Sequence, residues 1–226
     1  MKTFTIGKKK IVLKEEWMVG FITTWIVGLL AHAYRFFNFL PIWDSIYNFT
    51  GVGSTYTLGR WFLGYAGLIT SMFDLPWVNG AFSLFYISIV VILLTEMFEI
   101  KNKGMIVLCA AIFVSFPTVV SSFAYMYTAD AYLLAFLLAT LAVYLTWCVK
   151  KWGTIAGMVC LAFAMGIYQA YATVAIVLVL LYIIRQFVIE KLDFLEAVRK
   201  DLKYLGNAGR RSGTVCGYFK DHIDPL

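Results

Sequence analysis

Apolar residues fall into long runs along this chain, separated by short polar or basic punctuation. The first run covers about residues 17–40. A mixed segment follows over 41–79, with Asn48, Gly51, Gly53, Ser54, Gly59 and Arg60 before the apolar stretch Trp61–Phe73. Five further runs cover about 80–98, 105–123, 128–149, 153–168 and 171–188. A bilayer core is spanned by about 20 apolar residues in a helix, so each run is a spanning candidate and 153–168 is the shortest. The stretch Trp61–Phe73 is too short to span and suits an interfacial or re-entrant helix in the first outer loop. After 204 the apolar periodicity stops, and 205–226 reads as a loosely structured tail. The pattern predicts an all-α, polytopic membrane helix bundle of about six transmembrane helices. Residues 1–16 precede it, and the membrane domain occupies 17–204.

Composition supports this and narrows it. Of 226 residues, 62% are hydrophobic and 14% charged. A soluble domain carries roughly 45–50% and about 25%. Soluble globular, disordered and disulfide-stapled classes are excluded. The net charge of +6 does not point to nucleic acid, because the basic residues sit in clusters between apolar runs. Six alternating helices place all thirteen lysines on the side of the N-terminus. The other side keeps only Arg35 and Arg60. By the positive-inside rule both termini are cytoplasmic. Five helices would split the lysines between sides. The four cysteines show no metal-ligand spacing, and only two histidines, His32 and His222, are present. Gly153-x-x-x-Gly157 and Ala162-x-x-x-Gly166 carry small residues at a spacing that permits close helix packing.

The topology isolates the candidate chemistry. The outer acids are Asp44, Asp74 and Asp130, and the outer polar groups include Tyr125, Tyr127, Thr128, Tyr168, Gln169 and Tyr171. Ionisable groups at membrane depth are costly and therefore functional candidates. Asp44, just after the first span, could act as general base toward a sugar hydroxyl, or be a turn residue after Pro41. Arg60 could fork onto a lipid phosphate at headgroup level, or anchor the interface beside Trp61. Asp74 could be a loop or cap residue. Asp130, at the start of a helix, could favour the helix N-terminus or pair with Arg60.

Several short motifs occur in order: Gly59-Arg60-Trp61, then Tyr125-Met126-Tyr127-Thr128-Ala129-Asp130-Ala131-Tyr132, then Leu141-Ala142-Val143-Tyr144-Leu145, then Gly166-Ile167-Tyr168-Gln169-Ala170-Tyr171. Together, over about residues 15–205, they resemble the bacterial type II glucosyl transferase family, which modifies O-antigen. The resemblance implies a C-type membrane glycosyltransferase in the bacterial inner membrane. It would move a sugar, glucose by family, from a polyprenyl-phosphate carrier to a lipopolysaccharide O-antigen or other cell-surface glycan. Asp44 would be catalytic. Arg60 would meet the carrier phosphate, with Asp130, Tyr127, Gln169 and Asp74 as further substrate-binding positions in the same cavity. No cofactor is required, although clustered aspartates leave room for a divalent metal. Partners would be the lipid-linked sugar, the glycan acceptor and the bilayer, with no nucleic acid.

Two departures qualify the resemblance. Asp44 stands alone where an acidic pair is common, and family members are longer. The second suggests a truncated N-terminal portion. The competing readings are a transporter or flippase of lipid-linked sugar, and an inactive membrane fragment of such an enzyme. The scarcity of ionisable residues mid-span and the lack of an evident inverted repeat lower the transporter reading.

Overall fold

The computed structural model describes residues 2–6, 9–47, 58–70, 73–149 and 152–190. The tail expected over 205–226 lies outside them. A two-stranded antiparallel hairpin, β1 (Lys2–Ile6) and β2 (Lys9–Leu13), pairs Lys2 with Leu13 and Ile6 with Lys9. The apolar-run pattern does not announce it.

The remaining regular structure among the described residues is helical. The long helices are α1 (Glu15–Phe37), α4 (Pro76–Met97), α7 (Met126–Cys148) and α9 (Ala172–Glu190), with α8 (Gly153–Ile167) shorter. Two short helices, α2 (Trp43–Tyr47) and α3 (Leu63–Ala66), lie between α1 and α4. The run expected at 105–123 is two helices, α5 (Lys103–Ser115) and α6 (Pro117–Ala124). Pro117 causes the break. It has no N–H to donate, and it drives Phe116 into extended backbone (φ −63°, ψ 140°) while itself starting α6. Five segments are long and apolar enough to cross a membrane: Glu15–Phe37, Pro76–Met97, Lys103–Ala124, Met126–Cys148 and Gln169–Val188. The sixth expected span, α8, has 15 residues.

Helix ends follow local chemistry. Asn102 caps α5, accepting from the amides of Gly104 (2.9 Å) and Met105 (3.2 Å). Pro76 occupies the first turn of α4, where a missing N–H costs nothing. The outer surface is apolar: Ile26 is 55% exposed and Leu30 78%. Such side chains need lipid rather than water.

α7 is the centre. Its buried residues run from Met126 to Trp147, and it packs against α4 on one side and α8 on another. The small-residue motif is used as expected: a Cβ on Gly153 would collide with the Leu145 carbonyl, and one on Gly157 with Thr146 and the Ala142 carbonyl. Gly166 serves a different neighbour. A Cβ there would come within 2.5 Å of the Trp61 indole.

The two ends of the bundle differ chemically. At one end Lys14 bonds Glu96 (2.7 Å), which also accepts from Trp17 Nε1 (2.6 Å). Lys103 pairs with Glu15 (2.6 Å) and Arg185 with Glu99 (3.0 Å). At the other end lie the close of α1, the start of α4, the α6–α7 corner, the close of α8 and the start of α9. There Arg35 donates to the carbonyls of Phe123 (2.8 Å) and Ala124 (3.1 Å). His32, one turn earlier, sits with its ring against Phe36 and Phe123 and its Nε2 2.9 Å from the Val114 carbonyl. It is a packed, hydrogen-bonded core residue.

Candidate active site

The segment between α1 and α4 is held against the helices where it is described. Residues 58–70 fold inward onto the bundle. The Phe62 amide donates to the Gly166 carbonyl (2.8 Å), which is free because α8 ends there. Leu63 and Ala66 bury against Ala131, Ala135 and Ile167. Gly59 has φ +73°, a left-handed conformation that suits glycine, and a Cβ there would meet Gln169 Nε2 at 2.6 Å. That nitrogen donates to the Leu58 carbonyl (2.8 Å). Gln169 therefore fixes the turn that presents Arg60.

Arg60 stacks its guanidinium on the Tyr168 ring, 4.5 Å from the centroid. Its Nε is buried and has no hydrogen-bond partner. Tyr168 is one of three mutually neighbouring tyrosines. Its ring centroid lies 5.6 Å from Tyr132 and 6.3 Å from Tyr171, and the last two are 6.4 Å apart. These groups wall a cavity of about 560 Å³ that also includes Asp44, Ser121, Ser122, Tyr125 and Tyr127. Asp44 is exposed, in the single turn of α2. Asp44 and Arg60 both come from the segment between α1 and α4, and the fold brings both to one concave wall.

Three of the expected site residues stand elsewhere. Asp130 is 2% exposed and does not line the cavity. It accepts from Thr70 Oγ1 (3.0 Å) and Asn79 Nδ2 (3.3 Å), not from Arg60. The helical period explains this, since at about 100° per residue Asp130 lies some 200° around α7 from Tyr132. Asp74 precedes α4 near Arg35, and neither carboxylate oxygen has a hydrogen-bond partner. Burial pushes its pKa above the ordinary carboxylate value, and the Arg35 charge offsets this only in part. Gln169 acts behind the wall, through the Gly59 turn. Among the described residues no three of His, Cys, Asp or Glu converge as metal ligands, so the three aspartates do not form a cluster.

Ser121, Ser122 and Tyr132 were not singled out in the sequence as wall residues. Tyr132 lies on α7 and Tyr125 is the residue that caps it, so no single helix face links the two. Both serines lie on α6, a separate helix that starts at Pro117, a break that periodicity does not reveal.

A multi-helix membrane bundle with a polar, aromatic-walled cavity at one end is the class defined so far. The comparisons narrow it. Residues 33–207 match the family described as Glucosyl transferase GtrII, well over half of the sequence. The chain belongs to that family. No curated protein and no solved structure shows a significant match.

Proposed function

We propose that this chain transfers a hexosyl group, glucose by family, from a polyprenyl-phosphate carrier to a cell-surface glycan such as O-antigen. The cavity would open on the outer face of a bacterial inner membrane, with both termini cytoplasmic. The observation that carries the reading is the meeting of Asp44 and Arg60 in one cavity. Transfer with inversion needs two things. The acceptor hydroxyl must lose its proton as its oxygen bonds to the anomeric carbon, and the breaking bond must deliver its electrons to a phosphate. Asp44 is the right type to take the proton. Arg60, held by Tyr168 with an unpaired Nε, is the right type to receive phosphate charge. A tyrosine-lined wall suits a sugar, since aromatic faces pack on ring C–H groups and hydroxyls hydrogen-bond at the edges. Asp130, Asp74 and Gln169 are supports in this reading, while Tyr127 remains on the wall. The mechanism calls for no metal.

The test is transfer from a synthetic lipid-phosphate glucose to glycan in proteoliposomes. Asp44→Asn should lower kcat at least 100-fold with the helical content unchanged. Arg60→Ala should lower kcat/KM for the lipid donor. Full activity of Asp44→Asn removes the proposed base. Movement of intact donor across the bilayer with no new glycosidic bond would favour a flippase instead.

A further inference from the structure

We infer that the bilayer is locally thin beside α8, where the headgroup layer dips to the level of Arg60. α8 has a lipid-facing side, with Ile155, Met158, Val159 and Met165 exposed along it. Its 15 residues measure about 22 Å at about 1.5 Å each. A hydrocarbon core is about 30 Å thick. α1 and α7, with 23 residues each, measure about 34 Å. The position of α8 does not make good its shortfall. At one end Gly153 lies so close to the Leu145 carbonyl of α7 that a Cβ would collide with it. At the other end Ile167 buries with Ala131 and Ala135. α8 therefore runs beside residues 131–145 of α7 and stops short of the Met126 end.

The backbone around Ile167 is irregular and open. Leu58, Gly59 and Trp61 are exposed in a turn, Tyr168 is extended, and Gln169 is exposed in the single turn Gln169–Tyr171. Irregular backbone does not face lipid hydrocarbon, because its N–H and C=O groups would go unpaired. This level of the bundle therefore meets headgroups and water. Tryptophans mark the same two levels. Trp152, 69% exposed, caps one end of α8, and Trp61, 44% exposed, packs on Gly166 at the other. Exposed tryptophan settles at headgroup depth on both sides of a membrane. The layers these two mark are one α8 length apart, about 8 Å less than the usual core. A bilayer thins to meet a short span at a modest cost per ångström. Apolar side chains between two tryptophan-marked ends select a thinned lipid shell as the occupant, rather than a second copy of the chain. Arg60 borders the polar cavity at this level, so the dip brings headgroup phosphates to the cavity rim. The inference concerns depth and stands whether or not Asp44 and Arg60 carry out transfer.

The experiment uses the whole chain in nanodiscs that mix phosphatidylcholines of short (about 14-carbon) and long (about 22-carbon) chains in equal parts. In separate runs a trace of the short or the long lipid carries a diazirine on its headgroup. After irradiation, adducts are mapped by peptide mass spectrometry. Headgroup adducts should appear at both ends of α8, at Trp152 and at Trp61 with Met165. The short-chain probe should exceed the long-chain probe there at least threefold, while the two label the ends of α1, at Trp17 and Phe37, alike. A lipid with its diazirine at the chain terminus should label Val159 and neither end of α8. Equal labelling of the α8 ends by short and long probes would show no thinning and overturn the proposal. So would chain-terminus adducts at Trp61 or Met165, which would put that end in hydrocarbon. Labelling of residues 58–61 by a water-soluble diazirine but by no headgroup probe would replace the dip with a water-filled vestibule. Chain-to-chain cross-links across α8 would replace lipid with a second copy. None of these readouts needs transfer, so a chain without activity leaves the inference testable and separate from the proposed function.

Discussion

Replacing Asp130 separates a structural carboxylate from a catalytic one. Asp130→Ala removes the acceptor for Thr70 and Asn79 together. The losses are unequal. Thr70 Oγ1 keeps a second acceptor in the Gly67 carbonyl at 3.3 Å. Asn79 is 0% exposed, and its Nδ2 has no such alternative among the bonds seen. One buried donor left unpaired costs about 1–3 kcal/mol. The variant also relieves the desolvated carboxylate, so the net loss should sit near the lower half, about 1–2 kcal/mol. Asp130→Asn should recover most of it. Its carbonyl can face Asn79 while its amide donates to the Thr70 hydroxyl. The assay is equilibrium unfolding in mixed micelles by tryptophan fluorescence, with glucosyl transfer measured on the same preparations. A cycle with Asn79→Ala should give a coupling of about 1 kcal/mol. Asn79 also accepts from the Leu75 amide (3.1 Å), a loss that appears on both sides of the cycle and cancels. If Asp130→Asn unfolds like the native protein yet loses transfer a hundredfold, Asp130 touches substrate and the reasoning is wrong.

Two further outcomes follow from the same geometry. Gly166→Ala would ordinarily favour a helix, by about 1 kcal/mol; here the new methyl meets Trp61, so a net loss of about 1–3 kcal/mol and a raised donor KM are expected, and an unchanged KM would show that Trp61 does not position Arg60. Asp74→Asn should stabilise the protein at neutral pH. The folded-state pKa of Asp74 is raised, so the folded state binds the extra proton between the unfolded value and the raised one, and native stability falls as pH rises through that window. The gain in melting temperature should therefore be present at pH 7–8 and shrink as pH drops toward the ordinary carboxylate value, and a gain independent of pH would refute the burial argument.

Most of the bundle was legible in the sequence, because runs of apolar residues are long. The boundaries shifted by two to four residues where Pro76 or Asn102 could start a helix earlier than hydropathy suggests. The break at Pro117 was missed because apolar content continues straight through it. Asp44 and Arg60 could be nominated by side alone, since few charges lie on that side. That Asp130 would face away from them was not read, although the angle around α7 from Tyr132 was computable. The inward fold of residues 58–70 depends on Gly166 meeting Trp61, a contact between segments about 100 positions apart that no local pattern encodes.

The bonds that tie α1 at both ends also set a schedule for synthesis. Lys14 waits 82 residues for Glu96, and Arg35 waits 88 for the Phe123 carbonyl. At about 5–20 residues per second, the ribosome supplies these partners roughly 4–18 s after α1 emerges. Until α4 and α5 follow, α1 lacks the helices it packs against, with Glu15, Lys14 and Arg35 near its ends, where water can reach them. Its late docking gives this stretch of biogenesis a natural point for quality control by membrane chaperones and proteases.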